Sequence, residues 1–191
     1  MEPINSIKSD YFLWERFKEG EKSALDEIYK TYYPTLFDYG FRIIKDSDFI
    51  RECIQELFYE MISSRDSLGA THNVKFYLLA SIRRKIFSKI RNNKYVFQTD
   101  DHLSYNFDLE LSPEDQLIDI EIEESRRNEL KKLVNKLPCR EKEVIYLKFY
   151  KELNYEEITR IMGIHYDSAR KLLHRAIKKL RTLINVEVNH Y

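Results

Sequence analysis

The sequence contains few of the residues that form turns and cross-links. Its 191 residues include only 4 Gly, 4 Pro and 2 Cys. So few helix breakers, among long stretches rich in Leu, Ile, Lys and Glu, predict a helical chain. Cys53 and Cys139 lie far apart among apolar neighbours, so we interpret each as a buried free thiol. This cysteine usage is typical of a cytoplasmic protein.

Long apolar runs are also missing. No stretch approaches the roughly 18 apolar residues that a membrane-spanning helix needs. The first ten residues, Met1 to Asp10, are polar and lack the apolar stretch of a signal peptide. We therefore expect a soluble cytoplasmic protein that does not insert into a membrane.

The patterns that mark common enzymes are absent as well. The histidines are scattered, and no Cys pair or His-Glu spacing indicates a metal site. No Gly-rich phosphate loop or nucleophile elbow occurs. We therefore expect no enzymatic activity, no catalytic residue, no metal and no cofactor.

Charge is balanced overall but strongly segregated along the chain. Residues 72–97 contain seven Lys or Arg and no acid, whereas residues 100–124 contain ten Asp or Glu and no base. Basic residues dominate again from Arg126 onward. This order predicts two basic surfaces separated by an acidic connector, an arrangement that can hold a long polyanion at two places.

Apolar spacing predicts helices over most of the chain. In the first half we expect a helical segment over 9–32 that is broken near Gly20, and a helix that Pro34 opens and that runs to about Lys45. A third helix should start at Asp46 to Asp48. After a loop over 68–73, a helix should run from Val74 to about Arg91. Residues 95–113 lose this periodicity, and we interpret them as an exposed acidic linker. Ser112 to Glu114 then starts a helix that runs to about Lys136.

The last third has the pattern of a helix-turn-helix. A helix over 139–150 is followed by Asn154 and Glu157, which are spaced as a capping box for a helix over Tyr155–Met162. Gly163 can end that helix because glycine readily takes a positive φ. A longer basic helix begins near Tyr166.

The basic helix divides cleanly on a helical wheel. Its apolar face comprises Ala169, Leu172, Leu173, Ala176, Ile177, Leu180, Leu183 and Ile184. Its polar face comprises Asp167, Arg170, Lys171, His174, Arg175, Lys178 and Arg181. A solvated face is the alternative, but it would usually mix Glu with Lys at a spacing of four. We predict that residues near the helix start reach base edges in the major groove and that later ones meet phosphates.

Several motifs together resemble the extracytoplasmic-function class of bacterial RNA polymerase sigma factors. Three segments are similar to the C-terminal sigma domain: LPCREKEVIYLKF at 137–149, LNYEEI at 153–158 and SARKLLHRAIKKLR at 168–181. The segment at 52–58, ECIQELF, resembles the polymerase-binding helix of this class. The segment at 77–91, YLLASIRRKIFSKIR, resembles its promoter-melting helix. The resemblance implies an all-α protein with two helical domains joined by a flexible acidic linker: sigma region 2 over 1–95, linker 96–112, and sigma region 4 over 113–191.

The resemblance also implies binding residues. The predicted polymerase contacts are Glu52, Gln55, Glu56 and Phe58, with core packing as the alternative for Phe58. The predicted contacts to the −10 element are Lys75, Tyr77, Arg83, Arg84, Lys89 and Arg91, with core packing again the alternative for Tyr77. The predicted contacts to the −35 element are Tyr166, Asp167, Ser168, Arg170, Lys171, His174, Arg175 and Lys178.

These roles imply a set of partners. We expect core RNA polymerase, bound through its β′ clamp coiled coil and β flap, together with promoter DNA and a membrane-bound anti-sigma factor. The acidic linker is either a mimic of RNA charge in the polymerase or a plain tether. The competing hypothesis is a dimeric helix-turn-helix regulator, which would bind paired DNA half-sites without polymerase.

Overall fold

The computed structural model describes residues 4–71, 73–92, 105, 107–108 and 132–188, and its regular elements there are all helical. Contacts between residues divide the chain into two compact units, Met1–Thr99 and Asp100–Tyr191. The prediction of an all-α chain with a C-terminal helix-turn-helix is confirmed. Most of the predicted linker, and the predicted helix from 113 up to residue 131, lie outside the described residues.

The described residues of the N-terminal unit form four helices, with α2 at the centre. They are α1 (Ile4–Lys18), α2 (Lys22–Ile43), α3 (Ser47–Ser63) and α4 (Val74–Asn92), and a short 3₁₀ turn (Arg65–Ser67) follows α3. Helix α2 packs against the other three helices, and α3 packs against α4. A Cβ on Gly40 of α2 would lie 2.9 Å from Ile50 Cγ2, so glycine permits the close approach of α2 and α3.

The prediction that Pro34 opens a new helix is wrong, because α2 runs through it. A proline inside a helix costs about 3 kcal/mol, since it removes a hydrogen bond and crowds the preceding turn. Buried side chains of α2 lie on both sides of Pro34, including Ile28 and Tyr32 before it and Leu36 and Tyr39 after it. Burial of this continuous face against three neighbouring helices outweighs the local penalty.

Two start and stop signals of the N-terminal unit are confirmed. Asp46 caps α3, because its carboxylate accepts hydrogen bonds from the N–H groups of Asp48 (3.1 Å) and Phe49 (3.0 Å). Gly20, with φ of 94°, separates α1 from α2. Both features are local, so the sequence pattern was sufficient to locate them.

The C-terminal unit packs a long helix against shorter ones. A helical stretch at 132–135 precedes α5 (Cys139–Ile145), a π-helical turn (Tyr146–Tyr150), α6 (Tyr155–Met162) and α7 (Tyr166–Val188). Helix α7 packs against both α5 and α6. The prediction of one regular helix over 139–150 is wrong in its second half. There the Lys151 N–H bonds to the Tyr146 carbonyl at 3.1 Å, and Phe149 is 58% exposed.

The predicted exposure of the acidic linker is wrong at two residues. Phe107 is completely buried and Tyr105 is 8% exposed. The Phe107 ring lies 5.5 Å from the ring of Tyr146, and the Tyr105 hydroxyl donates a hydrogen bond to the buried carboxylate of Glu143. These two aromatic side chains therefore belong to the core of the C-terminal unit. The acidic residues around them in the sequence had indicated an exposed segment instead.

Candidate nucleic-acid and partner interfaces

The helix-turn-helix has the capping geometry that its sequence predicts. Asn154 accepts a hydrogen bond from the Glu157 N–H at 2.9 Å, and Glu157 accepts one from the Asn154 N–H at 2.8 Å. Gly163 ends α6 with φ of 62°, in the left-handed region that favours glycine. These contacts fix the start of α6 and the turn into α7, and thereby set the direction of the basic helix.

The two predicted faces of α7 are separated over most of the helix, but the predicted packing of Ile184 is wrong, since its side chain is 39% exposed. Ala169, Leu172, Leu173 and Ala176 are buried against the unit. The predicted polar face is exposed throughout: Asp167, Arg170, Lys171, His174, Arg175, Lys178 and Arg181. Tyr166 and Ser168, at the helix start, are also exposed. The residues predicted to contact the −35 element therefore share one accessible surface.

One aromatic residue of this surface was missed in the sequence. The Tyr155 ring lies 5.7 Å from the Tyr166 ring, and Lys148 Nζ lies 5.4 Å from the centre of the Tyr155 ring. Tyr155 also lines a shallow groove of about 760 Å³ beside the polar face of α7. Tyr155 thus links the first turns of α6 and α7. Its position one residue after the predicted cap was the available signal.

One lysine of α7 outside the predicted polar face, Lys179, forms an ion pair within the unit. Lys179 Nζ lies 2.9 Å from the Glu141 carboxylate of α5, and the side chain of Glu141 is 5% exposed. This ion pair ties α7 to α5, although the Lys179 side chain itself remains 50% exposed. The cationic face and this internal contact consequently use different lysines.

Three of the four residues predicted to contact polymerase lie at the surface of α3. Glu52 and Gln55 are exposed and Glu56 is partly exposed, whereas Phe58 is 6% exposed. The Phe58 ring packs edge-on against Tyr29 at 4.9 Å. The structure thus supports the core-packing alternative for Phe58, and the accessible part of the predicted contact is polar.

The residues predicted to contact the −10 element do not share one exposed face. Arg84 and Arg91 are exposed, and Lys75 and Arg83 are half-buried, with the Arg83 guanidinium 4.5 Å from the centre of the Phe87 ring. Tyr77 packs against Trp14 at 4.9 Å, and burial raises the pKa of its phenol. Tyr77 is thus a packing residue, as its alternative interpretation proposed.

Trp14 is a second residue that sequence reasoning missed. It is 1% exposed, and its Nε1–H donates a hydrogen bond to the Gly69 carbonyl at 3.0 Å. Gly69 lies in the loop before α4, the helix that carries the residues predicted to contact the −10 element. Trp14 therefore holds this loop against α1, and the only signal in the sequence was its status as the single tryptophan.

Lys89 is not a free cation. Its Nζ lies 2.6 Å from Glu56 and 3.1 Å from Glu52, and the neighbouring Lys85 Nζ lies 2.6 Å from Glu60 and 3.3 Å from Glu56. The hydrogen bond from Lys89 lowers the pKa of the Glu56 carboxyl, with a further contribution from Lys85. We refer to these five residues as the acid–lysine lattice. It joins a residue predicted to bind DNA to residues predicted to bind polymerase.

Among the helices that could be described, none is both long enough and apolar enough to cross a bilayer.

Comparison with known proteins identifies similar chains. The family described as Sigma-70, region 4, matches residues 127–180. The ECF RNA polymerase sigma factor SigM of Bacillus subtilis (strain 168) is 31% identical over 171 residues, which cover 87% of this chain and 98% of SigM. RNA polymerase sigma factor SigV of the same organism is 24% identical over 170 residues, covering 89% of this chain and 96% of SigV.

Solved structures share the fold. CnrH, in complex with the cytosolic domain of CnrY, superimposes with a TM-score of 0.60 at 14% identity, covering 93% of this chain and 97% of CnrH. The sigma factor RpoE of Bartonella quintana, in complex with the anti-sigma factor NepR, gives 0.56 at 18% identity, covering 84% of this chain and 96% of RpoE.

Proposed function

The chain belongs to the extracytoplasmic-function family of RNA polymerase sigma factors, and on that premise we propose how its residues direct promoter-specific initiation of transcription. The chain binds core RNA polymerase and selects the DNA site at which the enzyme starts. It supplies specificity and no catalytic chemistry of its own. We place this activity in the cytoplasm, where polymerase and chromosome are found together.

The observation that carries the proposal is the cationic face of α7. Five Arg or Lys and one His lie exposed on one side of the helix, while the opposite side is buried. The major groove of B-DNA is about 12 Å wide and admits one α-helix. With its N-terminal end in the groove of the −35 element, α7 directs Arg170 and Lys171 to base edges. Arg175 and Lys178, further along, meet phosphates.

The N-terminal unit supplies the other two contacts. Glu52, Gln55 and Glu56 of α3 present a polar surface to the β′ clamp coiled coil. The guanidinium groups of Arg83, Arg84 and Arg91 on α4 provide charge for the phosphates of the opened −10 element. The loop before α4, which Trp14 holds through Gly69, lies beside this helix.

Regulation by a protein inhibitor follows from the same kinship. The related fold of RpoE was solved in complex with the anti-sigma factor NepR. We propose that a membrane-bound anti-sigma factor occupies this chain in the absence of its signal. Co-purification from unstimulated cells should recover such a partner, and its consistent absence would contradict this part of the proposal.

Transcription in vitro tests the central proposal. Core RNA polymerase, a genomic DNA library and the purified chain should together give transcripts with defined start sites, whereas core polymerase or the chain alone should not. A chain that fails to associate with core polymerase would overturn the proposal. Specific DNA binding as a dimer without polymerase would favour the helix-turn-helix regulator instead.

A further inference from the structure

Two aromatic residues attach the chain to the C-terminal unit well before 127–180, the range that matches the Sigma-70, region 4, family. Phe107 is completely buried and Tyr105 is 8% exposed, and their ring centres lie 6.4 Å apart in an edge-to-face arrangement. We refer to this pair as the aromatic anchor. Contacts between residues likewise begin the C-terminal unit at Asp100. The anchor is therefore the first described part of this unit along the chain.

The anchor is held by an apolar and a polar contact. The Phe107 ring packs edge-on against Tyr146, which is 1% exposed. The Tyr105 hydroxyl donates a hydrogen bond to the carboxylate of Glu143, a residue that is fully buried. Detachment would expose an aromatic ring to water and remove a hydrogen bond from a buried carboxylate, and both changes are unfavourable. We therefore expect the anchor to stay attached whenever the C-terminal unit is folded.

The anchor shortens the stretch of chain that connects the two units. Helix α4 ends at Asn92, so only residues 93–104 lie between this helix and Tyr105. A fully extended chain gains at most about 3.6 Å per residue, so this connection spans no more than about 45 Å. With the first attachment at Lys132, the next described residue after Asp108, the connection would reach about 140 Å. The anchor therefore reduces the maximum reach about threefold.

Reach matters because the proposed function gives each unit its own DNA element. When two binding modules are linked, the second contact depends on an effective concentration, which falls to near zero when the linker cannot span the two sites. Each base pair added between the elements lengthens B-DNA by about 3.4 Å. A connection of bounded length therefore disfavours promoters whose two elements lie far apart.

We propose that the aromatic anchor determines which spacing between the −10 and −35 elements the chain accepts. Tyr105 and Phe107 are positioning residues, because they fix the point at which the short connection joins the C-terminal unit and do not themselves read the DNA. Loss of the anchor lengthens the connection and admits promoters with a longer spacing. This inference rests on the proposed function, since it assumes that the two units hold the two elements at the same time.

Matched insertions in the full-length chain provide the test. Both variants receive the same Gly-Ser insert of about twelve residues, which adds about 40 Å of reach. The upstream variant carries it between Thr99 and Asp100, within the connection. The downstream variant carries it between Leu111 and Ser112, beyond the anchor. Neither insertion changes an anchor residue or a residue predicted to contact DNA or polymerase.

The readout is transcription by core polymerase from one native promoter whose spacing is lengthened stepwise by up to about four base pairs, or about 14 Å. We expect the wild-type chain and the downstream variant to lose activity together as the spacing grows. The upstream variant should retain about tenfold more activity on the longest template, a small part of the roughly 10²–10⁴-fold that linking can contribute. All chains meet the same templates, so the helical rotation that each base pair adds is common to the comparison.

A variant of the anchor itself identifies the residue responsible. Phe107→Ala combined with the downstream insertion should give the wide spacing profile of the upstream variant, because the insert then lengthens the connection. Phe149→Ala removes an exposed ring, and with the same insertion it should keep the narrow profile. Circular dichroism establishes that each variant is folded before it is assayed. Should Phe107→Ala unfold the unit, the two insertions still decide the question, since they leave the buried residues unchanged.

Two results overturn the inference: the same spacing profile for the upstream and downstream variants, or a narrow profile for a folded Phe107→Ala variant that carries the downstream insertion. Both presuppose transcripts from the wild-type chain at the native spacing, and they leave the proposed function intact. An absence of those transcripts, together with no association between the chain and core polymerase, would refute the proposed function and the inference with it.

Discussion

Helices α4 and α7 both carry clustered lysine and arginine, but the two units use this charge differently. On α7 the cations of the polar face are exposed, and the ion pair between α7 and α5 uses Lys179, which is not one of them. On α4 the lysines facing α3 are held by three glutamates. The basic side chains of a helix are therefore accessible to a binding partner only where acidic residues of a neighbouring helix do not pair with them.

The same contrast explains why α7 separates an apolar face from a polar one, whereas the residues of α4 predicted to contact DNA do not share one exposed face. Helix α7 lies at the edge of its unit, with one side on α5 and α6 and the other in solvent. Helix α4 contacts α1, α2 and α3, so polar residues that pair with neighbours mix with apolar ones around its circumference. The apolar periodicity of a helix reveals its exposed binding face when only one side of the helix is buried. It does not reveal such a face when several neighbouring helices surround the helix.

The largest expected effect is on the stability of the C-terminal unit. It tests whether this unit needs residues that precede 127–180, the range that matches the Sigma-70, region 4, family. Phe107→Ala should destabilise this unit by about 3 to 5 kcal/mol, because it removes a fully buried ring. Circular dichroism follows unfolding of both units, while fluorescence of the single tryptophan, Trp14, follows the N-terminal unit. The helical signal should gain an earlier transition, and the fluorescence midpoint should stay unchanged.

Phe149→Ala is the matched control, because this ring is 58% exposed. It should change stability by no more than about 0.5 kcal/mol. Similar effects of the two substitutions would mean that Phe107 does not belong to the core of the C-terminal unit.

A smaller effect is expected on the exposed side of α7. Arg170→Ala should reduce use of a native promoter by the equivalent of about 1 to 3 kcal/mol, if the guanidinium reads a base through two hydrogen bonds. Run-off transcription with core polymerase measures this loss. Arg140→Ala, on the exposed surface of α5, removes the same charge and should leave transcription nearly unchanged. Equal losses would show that general charge, not the α7 face, determines binding.

The cap of α6 should contribute about 1 kcal/mol. Asn154→Ala removes the acceptor of the Glu157 N–H and should lower the stability of the C-terminal unit by about that amount. Asn154→Ser keeps an acceptor oxygen and should retain most of the stability. Thermal unfolding followed by circular dichroism distinguishes the two variants, and equal midpoints for alanine and serine would exclude a capping contribution.

The smallest effect is a pH dependence confined to the N-terminal unit. The hydrogen bond from Lys89, aided by Lys85, holds the pKa of Glu56 below its usual value. A carboxyl with a lowered folded-state pKa stabilises the fold above its unfolded pKa, and this contribution is lost as pH falls through the folded pKa. Trp14 fluorescence should therefore show a small loss of stability between about pH 5 and pH 3 that is reduced in Glu56→Gln. An identical acid dependence in both proteins would argue against a stabilising lattice.

Local chemistry was sufficient for part of this protein. The cap at Asp46, the capping box of Asn154 and Glu157, the left-handed Gly163 and the two faces of α7 each depend on residues within a few positions of one another. Such features follow from backbone geometry and helical period. The sequence by itself therefore determined the helix-turn-helix and the surface that it exposes.

Other features depended on residues distant in sequence. Helix α2 continues through Pro34 because it packs against three helices. Phe107 and Tyr105 lie in the C-terminal core because they contact Tyr146 and Glu143. Three glutamates of α3 pair with two lysines of α4. In each case the neighbour lies too far along the chain for a local pattern to reveal it. Burial and ion pairing depend on distance in space, and only the tertiary structure decides which residues meet there.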